Sequence, residues 1–270
     1  MTHWKLTLSY DGTAFHGWQV QPDRPTVQGT LSAALEQLTG ERLLPQGSGR
    51  TDAGVHALGQ VVSFSLAASL PEGNVLRALN RALPSSIRVL QAEVAPESFH
   101  ARHSAVRKSY EYRIFERRID EVGAETVAEK ICPPFLAPYV WDCRWGLEIG
   151  RMREAAAIFY GTHDFTSFAA VDAELGVREG EATGPNPVKT VLLSEISRRD
   201  GVLSYRVTGN GFLHHMVRNI VGTLVDVGRG HLQIDDMAKI LAARERSAAG
   251  PTAPAQGLFL VSVEYDEVPA

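Results

Sequence analysis

The chain has only two cysteines in 270 residues, Cys132 and Cys143. They have neither metal-ligand spacing nor the company a disulfide framework needs, so a reducing compartment suits them. No apolar run approaches the roughly 20 residues that span a bilayer. No long stretch is depleted of apolar residues either, which argues against a disordered segment. The nine histidines include no His-Glu-x-x-His. The closest metal-like sets are Asp52 with His56, His100 with His103, and His214 with His215, and none has a thiolate partner, so no metal is expected. Gly47–Arg50 lacks the Gly-Lys-Ser/Thr ending of a phosphate loop, which argues against a nucleoside triphosphate site. A basic excess is also missing: 27 Lys and Arg face 31 Asp and Glu, and the net charge is −4. That argues against a general nucleic-acid coat, but it permits arginines clustered on one face. Met1-Thr2-His3-Trp4-Lys5 runs straight into a strand pattern, so no signal peptide and a cytoplasmic location are expected.

What is present is a globular composition, 44% hydrophobic and 21% charged. At this length it favours two smaller lobes over one large core. The chain is organised around one loop, Gly47-Ser48-Gly49-Arg50-Thr51-Asp52-Ala53-Gly54-Val55-His56-Ala57. Glycines let a backbone approach a ligand closely, and a carboxylate held among them can be aimed into a cleft. The plain alternative is a solvated turn. A strand, Gln60–Ser65, follows it. Trp4–Tyr10 alternates as a half-buried strand. Thr26 caps a helix running to Thr39, with Gly40 as its stop. Pro71 opens a second helix that Pro84 ends, and Ile87–Val94 is a strand. The first hundred residues therefore read β-α-β-α-β.

Lys108–Phe115 alternates strictly and is predicted as a strand. Residues 117–150 read as a crossover with little sheet, and Arg151–Tyr160 as a helix. Residues 171–187 carry four acids, three glycines and two prolines and read as a long loop. Val188–Ser197 and Val202–Thr208 form a hairpin around Arg199-Asp200-Gly201. Phe212–Gly228 and Ile234–Ala243 are predicted helices, and Leu258–Tyr265 a last strand. The fold class is α+β, in two lobes of similar make-up without a residue-level repeat. The cleft between such lobes is the default place for a site.

On the helix from Phe212, the residues Leu213, Met216, Val217, Ile220, Val221, Leu224 and Val225 fill about half the circumference at ~100° per residue. Arg218 sits at the margin of that arc. It either snorkels to water or points into the cleft, where a buried charge needs a partner. Asp52 is the obvious one, since an adjacent positive charge keeps a carboxylate ionised. Tyr110 and Tyr112 alternate on their strand. One of them is a core residue or a flat platform for a ring, as bases need.

Seven segments in order resemble the tRNA pseudouridine synthase A family. They are Thr26-Val27-Gln28-Gly29, Gly49–Ala57, Phe99-His100-Ala101-Arg102, Tyr110-Glu111-Tyr112-Arg113-Ile114, His163–Phe168, Phe212–Asn219 and Ala249–Leu258. The resemblance implies that Asp52 is the catalytic carboxylate. It implies that Tyr110 stacks on the target uracil, that Arg218 pairs with the aspartate, and that Arg50 handles the flipped nucleotide. His56, Phe99, His100 and Arg102 fall with the substrate-binding residues, the last three near the RNA backbone. It further implies two RNA-recognition-like (ferredoxin-like) lobes with mainly antiparallel sheets joined across a central cleft. Residues 1–104 would carry the Asp loop, and 105–270 the stacking Tyr and partner Arg. The expected protein is a homodimer acting on the tRNA anticodon stem-loop, with no metal, no organic cofactor and no membrane. Two features depart from the family pattern: the acidic 171–187 loop, and Lys189 where an arginine is usual. The alternatives are a non-catalytic RNA-binding protein, a synthase for another RNA position, and a metal-dependent hydrolase using Asp52 and His56.

Overall fold

The computed structural model describes residues 1–68, 70–118, 129–170 and 186–266. Its strands are β1 (Thr2–Tyr10), β2 (Gln46–Gly47), β3 (His56–Leu66), β4 (Ile87–Val94), β5 (Ala105–Glu116), β6 (Trp141–Cys143), β7 (Gly161–Asp164), β8 (Val188–Arg199), β9 (Val202–Gly209) and β10 (Leu258–Tyr265). Its helices are α1 (Val27–Thr39), α2 (Glu72–Ala82), α3 (Ile149–Ala157), α4 (Met216–Gly228) and α5 (Asp236–Ala243). The protein is mixed α/β, and most of its strand pairs are antiparallel. The acidic 171–187 loop falls outside the described residues, except for its last two positions.

The chain forms two compact units, residues 1–109 with 259–270, and residues 110–258. The sequence reading put the boundary at 104/105 and left the last strand with the second lobe. The last strand returns to the first unit because Phe259 and Leu260 pair in parallel with His56 and Ala57 of β3.

In the first unit β1 lies between β3 and β4, antiparallel to both. Its alternation turns Trp4, Leu6, Leu8 and Tyr10 inward, as the half-buried strand pattern predicts. One edge of β3 pairs with β1. The other takes β2 at Val62 and Ser63, and β10 at its start. Thr26 caps α1, its hydroxyl accepting the Gly29 N–H, and Gly40 ends it. Val27, Leu31 and Leu35 of α1 and Val75 and Leu79 of α2 are buried, so each helix contributes an apolar face to the core.

In the second unit β9, β8 and β7 follow β5 in order, and β6 pairs in parallel with β5. The β8–β9 hairpin turns at Asp200 and Gly201, both left-handed, as expected. Of the 117–150 segment, residues 119–128 lie outside the described residues; among residues 129–148 the one strand is the short β6. α4 begins at Met216, four residues later than the periodicity predicts. His215 is left-handed at φ 59, and the His214 carbonyl accepts the Ala170 N–H at 2.9 Å. That bond takes the carbonyl out of the helical ladder.

The environment of α4 also differs from the half-apolar arc. Asn219, Gly222 and Thr223, on the face that reads as polar, are buried too. The segment 249–253 lies against that face. Ala253 donates to the Arg218 carbonyl at 3.1 Å, and Gly250 donates to Thr223 Oγ1 at 2.9 Å. A side chain at Gly222 would collide with the Pro251 carbonyl.

Candidate functional site

The Asp52 loop is held on three sides. Behind it, Tyr10 Oη and Thr51 Oγ1 are 2.9 Å apart, and burial pushes the Tyr10 phenol up to about 12. Beside it lies the aromatic loop 15–19. Trp18 donates to the Thr51 carbonyl at 3.0 Å, and Gly54 donates to the Phe15 carbonyl at 3.3 Å. Gly17 allows this approach. Its φ is +85, and a Cβ there would stand 2.6 Å from the Thr51 carbonyl oxygen. At the loop's start, Ser48 is fully buried. It donates its backbone N–H to the Val61 carbonyl at 2.8 Å and its hydroxyl to Gln60 Oε1 at 2.6 Å. Gln60 Nε2 returns a bond to the Gly49 carbonyl at 3.0 Å. Val55 closes the turn by donating to the Asp52 carbonyl at 3.1 Å. Asp52 is half-buried on this fixed loop and Arg50 is exposed.

In the second unit, Tyr112 is the core member of the tyrosine pair. It is fully buried, and its hydroxyl donates to the Pro254 carbonyl at 2.7 Å. Tyr110 is half-buried, with the Phe212 ring edge-to-face at 5.0 Å. Arg218 is also half-buried. Its Nε donates to the Ala253 carbonyl at 2.8 Å, so the guanidinium is oriented by the same segment that covers α4. This is a more constrained side chain than the snorkelling reading describes.

Two expected substrate-binding residues sit inside the first unit. His56 is 1% exposed. Its Nδ1 accepts the Gly12 N–H at 3.0 Å, and its ring stacks on Phe259 at 4.7 Å. It ties the turn after β1 to the start of β3. Phe99 is buried with Val61 and Ala101 and packs on Tyr265 at 4.9 Å. The neighbours that bury this ring come from distant parts of the chain, so sequence reasoning had no means of seeing them.

His100 organises a turn. Its Nδ1 accepts the backbone N–H groups of Arg102 and His103 at 3.1 and 3.3 Å. Burial and then the His103 charge hold the imidazole below its ordinary pKa, which keeps that acceptor available. Arg102 and His103 are thereby presented at the exposed tip. The turn is anchored by the Ala101 N–H on Ser63 Oγ at 3.1 Å, toward the opposite end of β3 from His56.

Sequence reasoning missed the residues that hold the loop. Gln60 passed as an ordinary polar strand position, yet it is fully buried. Gln28, 2% exposed, joins three segments: Nε2 donates to the Pro45 carbonyl and Oε1 accepts the Val20 N–H. Asn219 accepts from Arg246 and Thr252 and donates to the Phe168 carbonyl at 2.7 Å. A polar amide within an otherwise apolar run was the available signal in Gln60 and Asn219. Among the described residues, no helix is long and apolar enough to cross a membrane.

A mixed α/β protein with a carboxylate on a clamped glycine-rich loop, and a partly open tyrosine on a strand, has the parts of an enzyme that acts on a flat ring. Comparison with known proteins makes the class specific. The family model described as tRNA pseudouridine synthase matches residues 7–104 and 155–266. The chain is 46% identical over 261 residues to tRNA pseudouridine synthase A of Solibacter usitatus, covering 97% of this chain and 98% of the relative. It is 46% identical over 264 residues to the protein of the same name from Moorella thermoacetica, with the same coverage. The Bacillus subtilis relative is 42% identical over 264 residues, again with 97% and 98% covered. The chain belongs to the tRNA pseudouridine synthase family.

Proposed function

We propose that this protein isomerises uridine to pseudouridine in the anticodon stem-loop of tRNA, with Asp52 as the catalytic carboxylate and Arg218 as its partner cation. The observation that carries this reading is the clamped, half-buried Asp52 loop in a chain of this family. In the reaction the N1–C1′ bond of the nucleotide breaks and a C5–C1′ bond forms on the same ribose; C5 then loses its proton to a base or water and N1 takes one up, so no outside reagent is consumed. The target base must leave the stack, which costs a few kcal/mol. A ring stacked on Tyr110 recovers ~1–3 kcal/mol of that. The edge-to-face Phe212 contact supports this role by fixing the plane of Tyr110.

Asp52 then adds to C1′, adds to C6 of the ring, or removes a sugar proton to give a glycal. All three routes require an ionised carboxylate beside the glycosidic bond, and a guanidinium partner supplies the reason it stays ionised. Arg50 and Arg102, both exposed, are the residues proposed to contact the nucleotide and the RNA backbone. The two units are proposed as RNA-recognition-like, ferredoxin-like lobes. The strand order β4-β1-β3-β10 with α1 and α2 supports this for the first. The working protein is proposed as a cytoplasmic homodimer that needs no cofactor.

The test is tritium release. An anticodon stem-loop tRNA carrying tritium at C5 of its uridines is incubated with protein and EDTA, and tritium is counted in the water. Release by the wild type and none by Asp52→Asn, with tRNA binding retained, is expected. Binding without release from any tRNA would overturn the reading in favour of a non-catalytic RNA-binding protein.

A further inference from the structure

Lys108 lies on β5 within the first unit and is half-buried. Its Nζ donates to the Ser48 carbonyl at 2.6 Å, and a Cβ at Gly49 would stand 3.4 Å from the same nitrogen. The ammonium therefore bears directly on the two residues that lead into Arg50. The next carbonyl along, that of Gly49, is taken by Gln60. Successive carbonyls are thus fixed by two side chains from different strands, one charged and one neutral. Ser48 cannot shift sideways in response, because its N–H and hydroxyl are both engaged with β3.

We propose that Lys108 is a positioning residue for the catalytic loop. Its ammonium holds the Ser48 carbonyl and so sets the path along which Arg50 and Asp52 are presented. A hydrogen bond from a charged donor is stronger than one between neutral groups. The link therefore resists the pull that a bound nucleotide exerts on Arg50. Small errors in the placement of a reacting group are costly in rate, so the effect appears in turnover more than in tRNA affinity. The inference rests on the synthase reading for its consequence on turnover, and on the Lys108–Ser48 contact for its effect on the loop.

The full-length wild type is compared with Lys108→Met, Lys108→Gln and Lys108→Arg. Amide exchange of residues 47–56, melting temperature, and tritium release at saturating and limiting tRNA are measured. In Lys108→Met, exchange at Ser48, Gly54 and Val55 is expected to accelerate about ten-fold or more, the range a charged hydrogen bond supplies. The kcat is expected to fall about ten-fold or more while KM for tRNA changes little. Lys108→Arg, which keeps a charged donor, restores most of the kcat. Should the Met variant melt below the assay temperature, Lys108→Gln carries the test, with an intermediate loss expected. Unchanged exchange in 47–56 overturns the proposal, as does a loosened loop with full kcat. A raised KM at constant kcat also overturns it and assigns Lys108 to tRNA contact. A wild type that releases no tritium, with the loop still loosened by Lys108→Met, overturns the synthase reading and leaves the clamp standing.

Discussion

At the residue scale the functional proposal depends on two groups whose surroundings differ in kind. Asp52 is placed by backbone bonds of its own loop and of the aromatic loop beside it. Arg218 donates to the carbonyl of Ala253, a nearly fully buried residue. Arg218→Ala removes a charged donor and leaves that acceptor unpaired, a loss of about 1.5–3 kcal/mol. A fall in melting temperature together with loss of tritium release is expected. A variant with unchanged melting and unchanged turnover would show that the guanidinium has neither role. Tyr110→Leu removes the proposed platform while keeping an apolar side chain. Turnover is expected to fall by about ten-fold or more, checked by single-turnover release with protein in excess.

At the element scale α4 and the segment 249–254 behave as one piece. Gly222 faces the Pro251 carbonyl, Asn219 joins Arg246 and Thr252, and Thr223 accepts from Gly250. An alanine at Gly222 is favourable for a helix by about 1 kcal/mol, yet here it drives a methyl group into a carbonyl. The second effect is larger, because overpacking typically costs about 1–3 kcal/mol and the opposing group is backbone. Gly222→Ala is therefore expected to lower stability, read by urea denaturation. It should also weaken turnover by moving Ala253, which holds Arg218. A Gly222→Ala protein more stable than wild type would contradict the close packing described.

At the scale of the whole molecule, stability should depend on acid. Burial alone would raise the Glu111 carboxyl, but Arg113 and Arg206, bonded at 2.6 and 2.9 Å, outweigh it and hold it below its ordinary value of 4.5. Asp142 is likewise held low, chiefly by its hydrogen bonds from Arg117. A depressed folded pKa contributes stability above the unfolded value and loses it as pH falls through the folded one. The melting temperature should therefore hold down to about pH 5 and drop below about 4.5. Glu111→Gln should melt lower at pH 7, because Arg113 and Arg206 lose their shared carboxylate, and its acid decline should be shallower. Parallel pH profiles for the two proteins would remove Glu111 from this account.

The elements were legible where local physics decides them. The alternation of β1, the Thr26 cap and Gly40 stop of α1, and the Asp200-Gly201 turn all depend on neighbours in sequence, and each appears where it was read. The glycines and charged groups of the Asp52 loop are contiguous, so the stretch stands out in the sequence; its role stays with the proposal. What the tertiary structure alone decided is which side chains face inward. The family resemblance places His56 and Phe99 with the binding residues, and the fold sets Phe259 and Tyr265, from the far end of the chain, against their rings. Gln60 and Lys108 read as unremarkable strand positions, yet each holds a carbonyl of the loop that precedes Arg50. The start of α4 was displaced by a bond from Ala170, and its polar face was buried by 249–253. Burial and hydrogen-bond partnership are set by contacts between residues distant in sequence, so composition and periodicity specify the parts, and the packing of those parts assigns them their roles.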